Sequence, residues 1–377
     1  ATIRVLKKRF WVRLVVYSSL GFGESFMLNE VEVDDLTALI VIFIRNRNHM
    51  AAMEVLPFGL NSVLNSIVHS PIPNTIYNSL LNIQAHYDLG NEMFESFLSP
   101  DMTYSCPIWK MDSPDEEESL EDAQMRKIRR MLELADVREG DHLLEIGTGW
   151  GALSIEAVRS YNCHVTTLTL SKEQKALAEA RIAKAGYSDR ITVLLKDYRL
   201  LDPSQYQFDR IVTVEMLEAV GREFMPTFFK HMNSLLKPRG VLSLQVITIA
   251  DARFGAYTQA QDFIQKYIFP GGQCPCVASL TEAVYKGSGG ELIVDELHNI
   301  GPHYAKALRL WREAFVGKFD AVRDATGLHS VYTREFMRRW EYYFAYCEAG
   351  FITRALGDVQ VRLVKECNED LVAGIPL

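Results

Sequence analysis

The sequence predicts an α/β fold: a largely parallel sheet covered by helices on both faces. Three observations carry that prediction. From about residue 115, short apolar or β-branched runs alternate with amphipathic helical stretches. Those runs are mostly apolar, as in strands covered on both faces. The first of them, "HLLEIG" at 142–147, ends in glycine and leads into a helix-like stretch, the strand–turn–helix order of a parallel unit.

Residues 1–80 mix short strand-like and helix-like runs and end in "SPIPNTIYN", whose prolines suit a linker. They are read as a small N-terminal α+β domain, with residues 81–377 as the main one. In the main domain the strands are "HLLEIG", "CHVTTLTL" (163–170), "ITVLL" (191–195), "FDRIVTV" (208–214) and "GVLSLQVITI" (240–249). The helix over 171–186 opens on a serine cap and closes on glycine. Two long aromatic-rich stretches, 300–319 and 334–352, read as helices beyond what the sheet needs as cover. They are expected to form a lid or substrate-binding insertion; the other reading is plain core helices.

With 377 residues, 48% apolar and 23% charged, the chain has room for one large or two medium globular domains. A net charge of −8 argues against nucleic acid as a partner. The charge is uneven. Residues 1–16 carry five cations (Arg4, Lys7, Lys8, Arg9, Arg13) and no acid, whereas 111–124 carry seven acids and read as a solvated loop or helix entrance. Six scattered cysteines (106, 163, 274, 276, 347, 367) form no ladder of metal-ligand spacing. Their sparseness suits a reduced, intracellular chain. The longest apolar run, 36–44, is far short of a bilayer span, and no signal peptide is evident.

The loop "LLEIGTGWGALSIEA" (143–157) contains Glu145, Gly147, Gly149 and Gly151 in an E-x-G-x-G-x-G pattern. Glycines let backbone approach a ligand, and the helix start behind them offers N–H groups. The spacing differs from the pyrophosphate-binding G-x-G-x-x-G. An acid ahead of the first glycine repels a pyrophosphate but suits an ammonium. S-adenosylmethionine has an ammonium, a sulfonium and no phosphate. Thr169, Ser171 and Gln174 follow the second strand, where its ribose is expected. Asp197 follows the third as an acceptor for the adenine amino group, with Tyr198 beside the ring.

Together with this loop, "HYDLGNEMFESFLSPDMTYSCPIWK", "TLSKEQ", "FDRIVTVEMLEAVG", "YIFPGG" and "NIGPHYAKALRLW" resemble the cyclopropane-fatty-acyl-phospholipid synthases, relatives of the mycolic acid cyclopropane synthases. The resemblance covers about residues 85–365. It implies a class I S-adenosylmethionine methyltransferase (Rossmann-like) sheet with helical insertions. It also makes the N-terminal part a lipid-associated domain. Tyr104 and Ser105 match residues closing over the methionine end of the cofactor. Cys106, Glu218, Ile247 and Tyr304 match residues that hold a bicarbonate ion. Cys347 matches a cysteine once proposed as catalytic. Gln245 stands where the bacterial pattern has histidine, and Ala219 where another is usual, which points to a eukaryotic-type variant. The partners implied are an unsaturated phospholipid and a membrane surface, with a homodimer as a possible assembly.

The implied reaction transfers a methyl group to a cis double bond and leaves a carbocation; proton loss from that methyl closes a cyclopropane ring. A bound bicarbonate is the expected base, held by the Tyr304 hydroxyl, the Gln245 amide and the Ile247 N–H, with Glu218 orienting it. Cys106 is expected to line this anion pocket, since metal, disulfide and nucleophile roles lack partners, compartment or need. Other readings make Glu218 a helix cap, Tyr304 and Cys347 core packing, and His86 structural. The aromatic helices near 311 and 340 are expected to line an acyl tunnel, and the basic N-terminus to face anionic lipid. Competing functions are methyl- or methylene-branching of a lipid, methylation of an amine, and non-catalytic lipid binding.

Overall fold

The computed structural model describes residues 1–52, 90–111, 118–259 and 261–372. The domain boundary at 80/81, the "SPIPNTIYN" linker, His86 and residues 112–117 of the acidic run lie outside them. The remainder of that run starts a helix: Ser119 caps Leu120–Leu134 by accepting from the Asp122 N–H, and Glu121 and Asp122 sit in the first turn.

A seven-stranded sheet runs in the order β5-β4-β3-β6-β7-β9-β8. Its parallel part is β3 (His142–Ile146), β4 (His164–Thr169), β5 (Ile191–Leu195), β6 (Phe208–Val214) and β7 (Leu236–Ile249). These are the strands expected from the apolar runs, β7 starting earlier than its apolar stretch. The sheet is completed by β9 (Leu356–Lys365), antiparallel to β7, and β8 (Leu292–Asn299) at the edge. Neither was read from the sequence. Edge strand β8 is largely exposed, and Asp295, Glu296 and His298 cut its apolar stretch to residues 292–294. The helix Lys172–Ala185 has the caps expected of it: the Ser171 hydroxyl accepts from the Gln174 N–H, and Gly186 closes it in the left-handed conformation.

The N-terminal segment pairs β1 (Ile3–Val5) with β2 (Val31–Val33) and adds helices Arg9–Met27 and Leu36–Ala52. It packs on Arg334–Ile352, the second of the two aromatic helices; the first is Pro302–Thr326. Glu348 of Arg334–Ile352 is buried, accepting from Thr37 at 2.8 Å and from Arg309 at 2.8 Å. The aromatic helices are core as well as insertion. Phe97 meets Trp311, Phe315, Trp340 and Phe344 with ring centroids 5.4–6.2 Å apart, contacts that add to the burial of large apolar surfaces.

Helices Met225–Leu235 and Val277–Ser288 approach closely at Gly287. A Cβ there would lie 2.3 Å from the Pro226 carbonyl oxygen and 2.8 Å from Phe229 Cβ. Gly287→Ala must push these helices apart. It is expected to lower the unfolding free energy by about 1–3 kcal/mol, measured by urea denaturation.

Candidate active site

At the carboxyl end of β3 the chain turns through Gly147, Gly149 and Gly151, with φ of 98°, 49° and 91°. Residues with a Cβ rarely adopt these values. The turn borders a cavity of about 210 Å³. Of the residues assigned to the cofactor, Tyr104, Ser105, Glu145, Gly147, Gly149, Thr169, Gln174, Asp197 and Tyr198 all line it. Gly151 and Ser171 are not among its lining residues. Gly151 starts helix Ala152–Tyr161 and lies against Ala178, while Ser171 is a buried helix cap. Asp197 also differs from expectation. Its carboxylate receives Arg199 Nε at 2.8 Å and the Arg199 terminal NH₂ at 2.6 Å, a bidentate pair. Any adenine contact is added to that pair.

Opposite charges face this cavity. Glu145 is buried on β3, accepting from Thr167 at 2.7 Å and from Ser154. Burial pushes its carboxyl up to about 7, against the pull of the Ser154 and Thr167 hydroxyls and of Lys127. Lys127 is only 1% exposed and donates to the Ser105 hydroxyl at 2.5 Å. Burial lowers its pKa, while Glu215, Asp101, Cys106 and Asp358 oppose that shift. A carboxylate and an ammonium in one buried cavity match the zwitterionic amino-acid end of S-adenosylmethionine. Glu145 would hold the cofactor's ammonium, and Lys127 with Ser105 its carboxylate. Sequence reading missed Lys127, although a signal existed. It lies on the same face of Leu120–Leu134 as the buried Ala123, Gln124 and Met131, where a helix normally places apolar residues.

A second, mostly apolar cavity of about 250 Å³ adjoins the first, and both are lined by Tyr104, Glu215 and Ala219. Ile247, Leu308, Tyr343, Cys347 and Phe351 contribute to its wall, and Cys274 of the C-P-C loop joins them. Trp311 and Trp340 do not line it; they are buried in the aromatic core.

Glu215, absent from the sequence-based assignments, stands where the cavities meet. Just past β6, its φ of 49° is unusual for a residue with a side chain. Its carboxylate accepts the Cys106 N–H at 2.7 Å, Gln245 Nε2 at 2.8 Å and the Tyr304 hydroxyl at 2.8 Å. The signal for it was an acid three residues before Glu218, at the carboxyl end of a buried strand.

These contacts change the expected anion cradle. The Tyr304 hydroxyl and the Gln245 amide are bound to Glu215, and the Ile247 N–H donates to Glu218 at 2.6 Å. The donors assigned to a bicarbonate ion are thus held by two protein carboxyls. Gln245 is fully buried, touching Cys106 O and Asp358 and accepting from Gln360 at 3.0 Å. Cys106 is equally buried, and its thiol faces the Pro107 and Ile300 carbonyls rather than the cavity. Burial pushes the thiols of Cys106 and Cys347 well up, which disfavours the nucleophilic thiolate. Glu218 lines the apolar cavity, and burial, with Glu215 adding to it, pushes its carboxyl up to about 8. Its Oε2 has no hydrogen-bond partner among the described residues.

Two predictions follow from the charged pair. Below about pH 7 Glu145 is neutral, so taking up an ammonium must release a proton. Affinity for S-adenosylhomocysteine should therefore rise with pH up to about 7 and then level off, as read by calorimetry; Glu145→Gln should flatten the profile. Lys127→Met should weaken S-adenosylhomocysteine binding roughly 10–100-fold, the worth of a charged hydrogen bond. It should leave 5′-methylthioadenosine, which lacks the amino-acid end, unaffected; equal losses for both would mean a structural role.

Residues 76–361 match the family model described as mycolic acid cyclopropane synthetase. Tuberculostearic acid methyltransferase UfaA1 of Mycobacterium tuberculosis is 36% identical over 358 residues, 94% of this chain and 81% of that protein. The cyclopropane-fatty-acyl-phospholipid synthase of Escherichia coli K12 is 32% identical over 96% of this chain and 86% of its own length. Among solved structures, cyclopropane synthase MmaA2 from M. tuberculosis superposes with a TM-score of 0.67 at 30% identity, covering 76% of this chain and 98% of that one. Cyclopropane synthase CmaA1, solved with SAH and CTAB, gives 0.65 at 30% identity, covering 76% and 98%. Coclaurine N-methyltransferase, 18% identical with a TM-score of 0.67 over 91% and 98%, shares the fold. Matched along most of its length, and with a cavity suited to the cofactor, this chain belongs to the mycolic acid cyclopropane synthetase family and is an S-adenosylmethionine-dependent methyltransferase.

Proposed function

We propose that the protein methylates a cis double bond in an unsaturated phospholipid acyl chain at a membrane surface, and that Glu215 removes the proton whose loss closes a cyclopropane ring. The observation that carries this reading is the junction of the two cavities at Glu215. When bound, S-adenosylmethionine supplies an electrophilic methyl group on its sulfonium. The apolar cavity excludes water, which would otherwise add to the carbocation. Tyr304, Tyr343 and Phe351 offer aromatic faces to positive charge. Glu215 is fixed by its three donors and lines both cavities, so its carboxylate would be held in place to take a proton from a methyl group transferred there. A neutral Glu218 avoids a second negative charge and leaves an O–H to donate.

This reading replaces the external bicarbonate of the sequence expectation with a residue of the chain. A second reading, supported by the similarity to tuberculostearic acid methyltransferase, keeps the same base. A hydride shift places the cation on the methylated carbon, and proton loss from the methyl then yields a methylene branch. Incubation with labelled S-adenosylmethionine and unsaturated phospholipid, followed by NMR of the esterified acids, separates ring from methylene. Glu215→Gln should keep S-adenosylhomocysteine binding and lose roughly 10²–10⁴-fold in turnover. Wild-type turnover should be unchanged in carbonate-free buffer; stimulation by added bicarbonate would show that an external anion is the base.

A further inference from the structure

One half of the first helix carries an apolar face turned away from the protein. The helix Arg9–Met27 is broken at Ser18, where φ is 50° and ψ −125°. In the half before the break, Phe10 is buried against Phe22, and Arg13 is tied to Glu24 and Glu30, each at 3.1 Å. The opposite side presents Trp11, Val12, Val15 and Val16, which are 56%, 65%, 60% and 38% exposed. Their i, i+1, i+4, i+5 spacing places them on one face. Lys7, Lys8 and Arg9 are exposed beside them.

A contiguous apolar patch of this kind marks an interaction site. We propose that it is an in-plane anchor, inserting Trp11, Val12, Val15 and Val16 among the headgroups of an anionic bilayer. Charge complementarity selects that occupant. Residues 1–16 carry five cations and no acid in a chain of net charge −8. Arg4 pairs with Glu32 and Arg13 with Glu24 and Glu30. The exposed Lys7, Lys8 and Arg9 beside the patch attract an anionic surface over a screening length of about 8 Å. A second copy seated symmetrically on the patch would bring like charges together. Tryptophan suits the depth at which the helix would lie, apolar on its ring and polar at its N–H. The N-terminal segment that carries the patch also reaches the apolar cavity, through Ile44 of its second helix Leu36–Ala52. The inference deepens the acyl-lipid reading and rests on it for the biological role of the contact.

The test uses the full chain and vesicles of phosphatidylcholine, with and without about 30% phosphatidylglycerol. The wild type should sediment with the anionic vesicles, and Trp11 emission should shift to the blue; the other tryptophans are already buried. Val12→Asp/Val15→Asp should weaken vesicle binding at least 10-fold, and so should Lys7→Ser/Lys8→Ser/Arg9→Ser on the anionic vesicles. Circular dichroism and S-adenosylhomocysteine affinity should stay at wild-type values and show that the variants fold. Unchanged vesicle binding by the double variant, or no spectral shift of Trp11, would overturn the proposal. So would a dimer that the double variant converts to monomer with vesicle binding intact. Turnover of detergent-dispersed unsaturated phospholipid is read separately. Its absence in the wild type would count against the acyl-lipid reading, whereas its persistence in the double variant beside lost vesicle binding locates the defect at the surface.

Discussion

The site depends on the position of one carboxylate. Glu215 lies just beyond β6, and its backbone N–H is bound to the Gln245 carbonyl of β7 at 2.8 Å. The left-handed backbone there costs of order 1–3 kcal/mol. Three donors from distant parts of the chain offset that cost: the Cys106 N–H, the Gln245 amide and the Tyr304 hydroxyl. They join the segment before the sheet, the central strand β7 and the first aromatic helix. Glu215 thereby stands where the cavity beside the glycine turn meets the apolar one, lining both.

Charge balance follows from that arrangement. Glu145, Glu215, Glu218 and Asp358 are gathered within one interior, with Lys127 as a buried cation among them. Ionising every acid there would be unfavourable in a medium of low dielectric. Burial first, and Glu215 next, raise both Glu218 and Asp358. Neutral neighbours keep the negative charge low near Glu215, while Lys127 offsets what remains. In the proposed reaction a cation forms in the apolar cavity, and a single anionic oxygen beside it can both attract it and take its proton.

The N-terminal segment has a structural part in the same site. Glu348 on the second aromatic helix binds Thr37, and Glu24 binds Lys266 and Tyr267 at 2.7 and 2.8 Å. These contacts fasten it to the helices that wall the apolar cavity.

The sequence by itself determined the parallel strands, the glycine turn and the cofactor class, because each is written in neighbouring residues. Apolar runs set β3 to β7, and the acid before Gly147 selected an ammonium over a phosphate. Only the tertiary structure decided the setting of Glu215, the buried cation and the place of Cys106. Lys127 reads as a surface residue until its helix face is packed, and Glu215 reads as a strand-end acid until Gln245 and Tyr304 close on it. The added strands β8 and β9 have the same cause: charged and polar residues interrupt their apolar positions, so they are recognised by their pairing. Hydrogen bonds such as Cys106 to Glu215, 109 positions apart, and Gln245 to Cys106, 139 positions apart, leave no local pattern, so chain folding alone brings the groups of the site together.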